Sequence, residues 1–142
     1  MEKSMLLVAF AMVVSLGFSQ KVKSADVPVV VRNAFEKQYP TAKEVTWDKE
    51  KNQYEASFDL NKIDQSVLMD DAGKIVETEV EIEMNQLPKG VLDYVKKNYK
   101  GASVKEAAKI TDSNGIVTYE AEIKGVDLLF DSNGKFIKEV KG

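Results

Sequence analysis

An internal repeat constrains the fold of this chain more than any other feature of its sequence. Short motifs occur twice in the same order, at spacings of 60, 65 and 61 residues. The matched motifs are Val27-Pro28 with Leu87-Pro88, Phe35 with Val95, Tyr39 with Tyr99, Ala42 with Ala102, Tyr54-Glu55-Ala56 with Tyr119-Glu120-Ala121, and Asp70, Gly73 and Lys74 with Asp131, Gly134 and Lys135. The spacing changes only between motifs, where Lys124-Gly125 is expected to replace a longer connection over residues 61–65. The chain is therefore predicted to contain two copies of one structural unit.

Each copy opens with a predicted amphipathic helix. In the first copy Asp26 is placed to cap the helix, Pro28 suits its opening turn, and Pro40 prevents its continuation. In the second copy Pro88 opens the helix and Gly101 suits a left-handed residue beyond its end. The apolar stripes consist of Val27, Val31, Ala34 and Phe35 in the first helix and of Leu87, Val91, Val95 and Tyr99 in the second. Each helix therefore has one apolar side to bury.

After each helix the apolar period changes from 3.6 to 2, which is typical of half-buried strands. The longest alternation places Val76, Thr78, Val80 and Ile82 on one side and Glu77, Glu79, Glu81 and Glu83 on the other. Glycines 73, 115 and 134 supply the positive φ that tight hairpin turns require. We therefore predict an α+β fold of two tandem α-β-β-β-β repeats, with an antiparallel sheet and the helices packed on one face.

The first nineteen residues are predicted to be a signal peptide. Lys3 precedes an uncharged and mostly apolar stretch from Ser4 to Ser19, which is shorter than a membrane helix and is followed by polar chain. The sequence therefore predicts a periplasmic or secreted protein with no stable membrane anchor after signal cleavage. The predicted organisation is a signal peptide over 1–19, a first repeat over 20–85 and a second repeat over 86–142.

Composition excludes several classes of chemistry. The chain of 142 residues contains no cysteine and no histidine, so thiol nucleophiles, imidazole bases and thiolate or histidine metal sites are excluded. No Ser-Lys motif and no glycine-rich phosphate loop stands out. The net charge of −3 is the wrong sign for nucleic-acid binding. The sequence therefore predicts no catalytic residues, no metal ligands, no cofactor and no nucleic-acid partner.

The order of these motifs resembles the PepSY-like proteins, which are also described as beta-lactamase-inhibitor-like. The resemblance rests on the Val-Pro and Leu-Pro helix starts, the Ala42, Val45 and Trp47 strand, the repeated Tyr-Glu-Ala strands, and the Asp-x-x-Gly-Lys turns at Asp70 and Asp131. The family pattern occurs twice, and the two copies together cover essentially the whole chain after the signal peptide. The resemblance implies an exported bacterial protein that is similar in architecture to the inhibitor that clamps beta-lactamases with a concave sheet. It does not imply beta-lactamase inhibition by this chain.

The side of the sheet opposite the helices is the predicted partner surface. Alternate residues of a strand share one face, so the carboxylates of the alternating segments align there. The predicted partner-binding residues are Glu55, Ser57, Glu77, Glu79, Glu81, Glu120, Glu122, Lys124 and Trp47. A protein bound to this face is expected to be basic, and its association to weaken with added salt. The alternatives are a solvated face that deters aggregation and, for the tryptophan, a position in the core.

Two function classes follow from this sequence. The leading prediction is an exported, non-enzymatic module that binds or inhibits an unidentified protein partner through the open sheet face. The alternative is a protein that binds a small ligand or a cell-envelope polymer, and a weak carboxylate enzyme is a third class.

Two further expectations concern ions and protons. The segments Asp112-Ser113-Asn114-Gly115 and Asp131-Ser132-Asn133-Gly134 are similar to the start of a calcium loop but lack its bidentate glutamate, so hairpin turns are predicted. Because histidine is missing, stability and partner affinity are expected to be nearly constant between about pH 5.5 and 7.5.

Overall fold

The computed structural model of the chain describes residues 19–141. Within this range the chain forms two α-helices and one nine-stranded antiparallel sheet, whose strands lie side by side in sequence order. The helices are α1 (Val29–Gln38) and α2 (Val91–Asn98), each preceded by a 3-10 turn, at Ser24–Asp26 and Met84–Gln86. The strands are β1 (Gln20–Val22), β2 (Lys43–Glu50), β3 (Gln53–Leu60), β4 (Ile63–Asp70), β5 (Ile75–Ile82), β6 (Glu106–Asp112), β7 (Val117–Ile123), β8 (Val126–Asp131) and β9 (Phe136–Lys141). The predicted α+β fold of two helix-plus-four-strand repeats is confirmed.

The start of α1 differs from the prediction. Asp26 lies in the preceding 3-10 turn and does not cap the helix, whose N-cap is Pro28. The carbonyl of Pro28 accepts hydrogen bonds from the N–H groups of Val31 and Arg32, so the first turn is closed by backbone alone. At the other end, the N–H of Tyr39 donates to the Phe35 carbonyl, and Pro40 follows. A proline therefore lies at each end of this helix and limits its length.

A continuous ladder joins the two repeats. Strand β5, the last strand of the first repeat, pairs with β6 through residues that include Glu79 and Ile110. The predicted division between residues 85 and 86 falls in the 3-10 turn that follows β5, and it stays a prediction. The predicted signal peptide falls almost entirely outside the described residues, and it also stays a prediction.

Two hydrophobic cores lie between the helices and one face of the sheet. In the first core Phe35 of α1 is 3% exposed and its ring lies 5.3 Å from that of Trp47 and 5.1 Å from that of Phe58. In the second core Val95 of α2 packs with Ala121 and Phe130. The residues that the repeat aligns therefore occupy equivalent places under the same face of the sheet.

Strand lengths and a bulge account for three differences from the sequence prediction. The β3–β4 hairpin turns on Asn61 and Lys62 alone, so the four residues lost in the second copy come from shorter strands and not from a shorter turn. A register shift in β5 leaves Ile75 opposite Met69, so Ile75 packs on the core where Val76 was expected. A short additional strand, β1, pairs with β2 and escaped prediction because three residues carry no periodic signal.

The turn between β8 and β9 touches the start of α2, and this contact yields a prediction. Gly134 has a φ of +84°, and a Cβ at this position would lie 2.8 Å from the Lys89 carbonyl oxygen and 3.1 Å from Pro88 Cβ. Gly125 has a φ of +75° but open space around it. We expect Gly125→Ala to cost about 1 to 2 kcal/mol from backbone strain alone. Gly134→Ala should cost roughly 1 to 3 kcal/mol more because backbone must also move.

Urea unfolding of both variants measures this difference. Equal losses for the two substitutions would show that the turn does not press against the start of α2.

Candidate functional site

One face of the sheet carries no described helix, and it is called the open face here. Cross-strand partners share a face, and the register therefore groups Glu55, Ser66, Glu79 and Glu120 on the side opposite the two cores. The carboxylates that share the central part of this face are Glu55, Asp64, Glu77, Glu79, Glu81, Glu106, Asp112, Glu120, Glu122 and Asp127. Lys21 and Lys138 share the face but lie on the outer strands β1 and β9.

Most of the predicted partner residues are brought together by the fold. Glu55, Ser57, Glu77, Glu79, Glu81, Glu120 and Glu122 all lie on the open face. Lys124 lies in the β7–β8 turn at the edge of this group and is exposed. Trp47 lies on the other side of the sheet and is 5% exposed, which confirms the predicted position in the core, and its contact with a partner stays a prediction.

The open face is not the fully solvated surface that the alternation suggested. Glu79, on the central strand of the sheet, is 1% exposed, and neither of its carboxyl oxygens has a hydrogen-bond partner. Glu120 is 5% exposed, and its Oε2 also has no partner. A buried carboxylate without a partner is strongly destabilised in its charged form. This arrangement is therefore costly for the free protein.

The repeat shows which of these carboxylates belongs to the basic unit. Glu55 and Glu120 occupy matching positions of the two Tyr-Glu-Ala strands, one on each side of β5. The position that matches Glu79, at the spacing of 61 residues, is Val140. An apolar residue therefore serves this strand position in the second copy, so the fold of the unit does not itself require a carboxylate there.

Burial and mutual repulsion raise the pKa of these carboxyl groups. Burial, followed by the charge of Asp48, raises the pKa of Glu55 to about 8, and burial with the charge of Asp127 raises that of Glu120 to about 8. Burial raises the pKa of Glu79 well above its usual range, and the charges of Glu120 and Glu55 raise it further. The charged forms are disfavoured because they lose water and face like charges.

Further carboxyl groups around this centre titrate near neutral pH. Burial with the charge of Asp112 raises the pKa of Glu77 to about 7, and burial with a hydrogen bond to Glu122 raises that of Glu106 to about 7. Burial, followed by the charge of Glu122, raises the pKa of Asp127 to about 6. These raised pKa values predict instead that stability and affinity change between about pH 5.5 and 7.5, because the expectation of constancy assumed ordinary carboxyl groups.

A small cavity lies at the centre of this cluster. Its volume is about 20 Å³, and its lining includes Glu79, Glu81, Glu106, Ala108 and Glu120. Ala108 pairs with Glu81 on one side and with Glu120 on the other. Its methyl group is too short to fill the space between the longer glutamates, and this leaves the cavity.

A short apolar strip borders the same carboxylates. Ile110 and Leu129 are buried on the open face and pack with Val140. Ile110 is the cross-strand neighbour of Glu79, and Leu129 is that of Glu120. The site therefore offers apolar surface directly beside buried carboxylates, a combination suited to a ligand with an apolar stem and a charged tip.

Several residues of this site were missed in the sequence. Glu106, Ile110, Asp127 and Leu129 lie outside the predicted alternations, although β6 and β8 were expected as strands. Opposing registers across the hairpins would have placed them on the open face once the strand ends were known. These residues could have been assigned to the open face from their cross-strand pairing with strand β7, which carries Glu120, but not from the pattern along β6 or β8 alone.

The two aspartate loops form hairpin turns, as predicted. The Asp112 carboxylate accepts hydrogen bonds from the N–H groups of Asn114 and Ile116. The Asp131 carboxylate does the same for Asn133 and Lys135. Across residues 19–141 no group of three acidic side chains is placed to hold a metal ion, and no described helix is long and apolar enough to cross a membrane.

The comparisons with known proteins agree with this architecture. The family described as "Putative beta-lactamase-inhibitor-like, PepSY-like" matches residues 17–77 and again residues 70–138. The chain therefore belongs to this PepSY-like family and carries two copies of its unit. No curated protein matches the sequence.

Solved structures share the fold at low sequence identity. A protein of Bacteroides eggerthii described as a "putative periplasmic" protein is 19% identical, with a TM-score of 0.72 over 81% of this chain and 88% of its own. A DUF2874 family protein of Bacteroides uniformis is 24% identical, with a TM-score of 0.69 over 80% of this chain and 88% of its own. A BLIP-like protein of Bacteroides fragilis is 22% identical, with a TM-score of 0.61 over 80% and 86%. These likenesses establish the shared fold.

Proposed function

We propose that this chain is an exported, non-enzymatic binding module that binds a basic protein partner through its open face. Membership of an inhibitor-like family supports a binding role, since such a role needs a surface and not a catalytic centre. The apolar stretch from Ser4 to Ser19 and the periplasmic description of the B. eggerthii relative support export. The proposed location is the periplasm or the exterior of the cell.

The observation that carries this proposal is the unpartnered pair of oxygens on Glu79. Buried polar groups in proteins are nearly always hydrogen-bonded, and exceptions call for a functional explanation. A cationic partner would supply the missing donors and the missing opposite charge together. The surrounding carboxylates produce a negative potential that favours the approach of such a partner.

A non-enzymatic role fits the chemistry of the face. Without histidine or cysteine, catalysis would have to use a pair of carboxyl groups in unlike environments, one acid and one base. Burial and neighbouring carboxylates instead raise the pKa of both Glu55 and Glu120 to about 8. This similarity favours a surface that recognises charge over a catalytic pair with one acid and one base.

A second candidate function rests on a groove beside the C-terminal end of α1. The groove has a volume of about 490 Å³ and is lined by Arg32, Tyr39, Val45 and Trp47, among others. This volume lies within the range of small-molecule sites, roughly 300 to 1,000 Å³. A small ligand or an envelope polymer would bind here through the arginine and the aromatic rings, and Trp47 would then contact it from the core side.

Charge reversal on the open face tests the leading proposal. A partner captured from periplasmic extract would be titrated against Glu77→Lys with Glu81→Lys, two half-exposed open-face positions. We expect association at low salt to slow by about tenfold, because removal of steering charge acts on the on-rate. The matched control is Asp71→Lys with Asp93→Lys, which makes the same change of net charge at exposed positions outside both the open face and the groove of α1.

The rates would be measured by surface plasmon resonance at several salt concentrations. Equal slowing of association by both double variants would show that only the net charge of the protein matters, and it would contradict the open face as the binding surface. Loss of binding only on substitution of Arg32 would support the groove of α1 instead.

A further inference from the structure

The open face combines a small cavity, two buried glutamates with unpartnered oxygens, Glu79 and Glu120, and an apolar strip. We infer that the cavity between Glu79 and Glu120 is a subsite for a single primary ammonium group, the tip of a lysine side chain of the partner. This inference rests on the proposed function, and it names the group that the open face recognises.

The size of the cavity favours a group no larger than a water molecule. Its volume of about 20 Å³ exceeds the minimum of roughly 10 to 15 Å³ that one water requires. An ammonium group is similar to water in size, whereas the planar guanidinium of arginine is several times larger. Lysine therefore fits the space better than arginine.

The chemistry of the lining favours a donor with several N–H groups. An ammonium group donates three hydrogen bonds, and Glu79 and Glu120 offer acceptor oxygens that have no partner in the free protein. Glu120 lies directly across β6 from Glu81, and Glu79 lies two residues further along β5, so the backbones of Glu79 and Glu120 are roughly 12 Å apart at the usual strand spacings. Calcium would instead require six or more oxygens that converge at about 2.3 to 2.6 Å.

The apolar strip accounts for the rest of the ligand. The four-carbon stem of lysine packs on apolar surface while its ammonium group reaches a polar site. Ile110 and Leu129 are the immediate cross-strand neighbours of Glu79 and Glu120. A stem that lies along them would bring its tip to the cavity over Ala108.

Titration of the full chain with small amines tests the subsite without any partner. The probe is Nα-acetyl-lysine amide, followed through the amide and carboxyl NMR signals of β5 to β7 at pH 8. We expect saturable shifts at millimolar concentration that centre on Glu79 and Glu120. Nα-acetyl-norleucine amide, which keeps the stem without the charge, and Nα-acetyl-arginine amide should bind at least about tenfold more weakly, a difference of about 1.4 kcal/mol.

Two substitutions distinguish the contribution of the Glu79 charge from that of the cavity volume. Glu79→Gln keeps the shape and removes the charge, and Ala108→Leu keeps every charge and fills the cavity. Each should weaken binding of the lysine probe at least about tenfold, whereas Asp93→Asn on α2 should leave that binding unchanged. Ala108→Val replaces the leucine variant if the larger side chain prevents folding.

The outcomes distinguish this inference from the proposed function. Equal binding of the lysine and norleucine probes, or no effect of Glu79→Gln, would overturn the ammonium subsite even if a basic partner binds the open face. Displacement of the lysine probe by calcium chloride at equal ionic strength, with larger shifts, would replace it with a metal site. Selective binding of the lysine probe would support the subsite even if no protein partner is captured.

Discussion

The protein is expected to lose several kcal/mol of stability between pH 5 and pH 7. The reason is that folding raises the pKa of the central carboxyl groups, to about 8 for Glu55 and Glu120. The unfolded chain releases these protons near pH 4.3, whereas the folded chain retains them to higher pH. The stability that these groups contribute is therefore fully present below about pH 4 and is lost as pH rises through the folded pKa values.

Glu79→Gln provides the decisive comparison for this pH dependence. Burial raises the pKa of Glu79 well above its usual range, so the folded wild type retains this proton while the unfolded chain releases it. Glutamine has no proton to lose, so the variant should lack the part of the decline that Glu79 causes. We expect similar stabilities for variant and wild type near pH 4 and a more stable variant at pH 7.

Urea unfolding at half-unit steps from pH 4 to pH 8 measures both curves, with the exposed Glu36→Gln as control. A flat wild-type curve, or parallel curves for wild type and Glu79→Gln, would show that these carboxyl groups are hydrated and ordinary in the folded protein.

Phe35→Ala is expected to destabilise the protein by about 3 to 5 kcal/mol. The Phe35 side chain fills the centre of the first core, where its ring lies within 5.4 Å of the rings of Trp47, Phe58 and Tyr39. Removing it leaves a cavity that three large aromatic rings cannot close without leaving their preferred packing. The loss approaches the whole stability of many domains of this size.

Val29→Ala on the same helix is the matched control, because Val29 is 58% exposed. Its substitution should change the free energy of unfolding by less than about 0.5 kcal/mol. Similar effects at both positions in urea unfolding would mean that α1 does not bury the Phe35 side against the sheet.

The fold was predictable because its signals are periodic and duplicated. Strand alternation at Tyr54 and Tyr119 and the glycine turns at 73, 115 and 134 agree with the structure because each depends on a few neighbouring residues. The bulge that brings Ile75 in place of Val76 onto the core was not predictable from the alternation. A bulge depends on pairing across strands, and pairing is invisible to a pattern along one strand.

The position of the site on the open face was predictable from the sequence, but the burial of its carboxyl groups was not. Alternation placed Glu77, Glu79 and Glu81 on the open face, yet it could not distinguish the buried Glu79 from its half-exposed neighbours. That difference arises from strands far apart in sequence, which bring Glu55 and Glu120 to either side of the central strand. Charge reversal at Glu79 would therefore place a lysine where almost no water reaches.

Carboxyl footprinting of the complex with a captured partner tests most directly whether the open face is the binding surface. Carbodiimide coupling labels exposed carboxylates, and mass spectrometry then compares the free and bound protein residue by residue. We expect protection of the half-exposed Glu55, Glu77, Glu81 and Glu122 on binding, with Glu36 and Asp93 on the helix side labelled equally in both states. Protection of Glu36 and Asp93 with unchanged labelling of the open face would contradict the account.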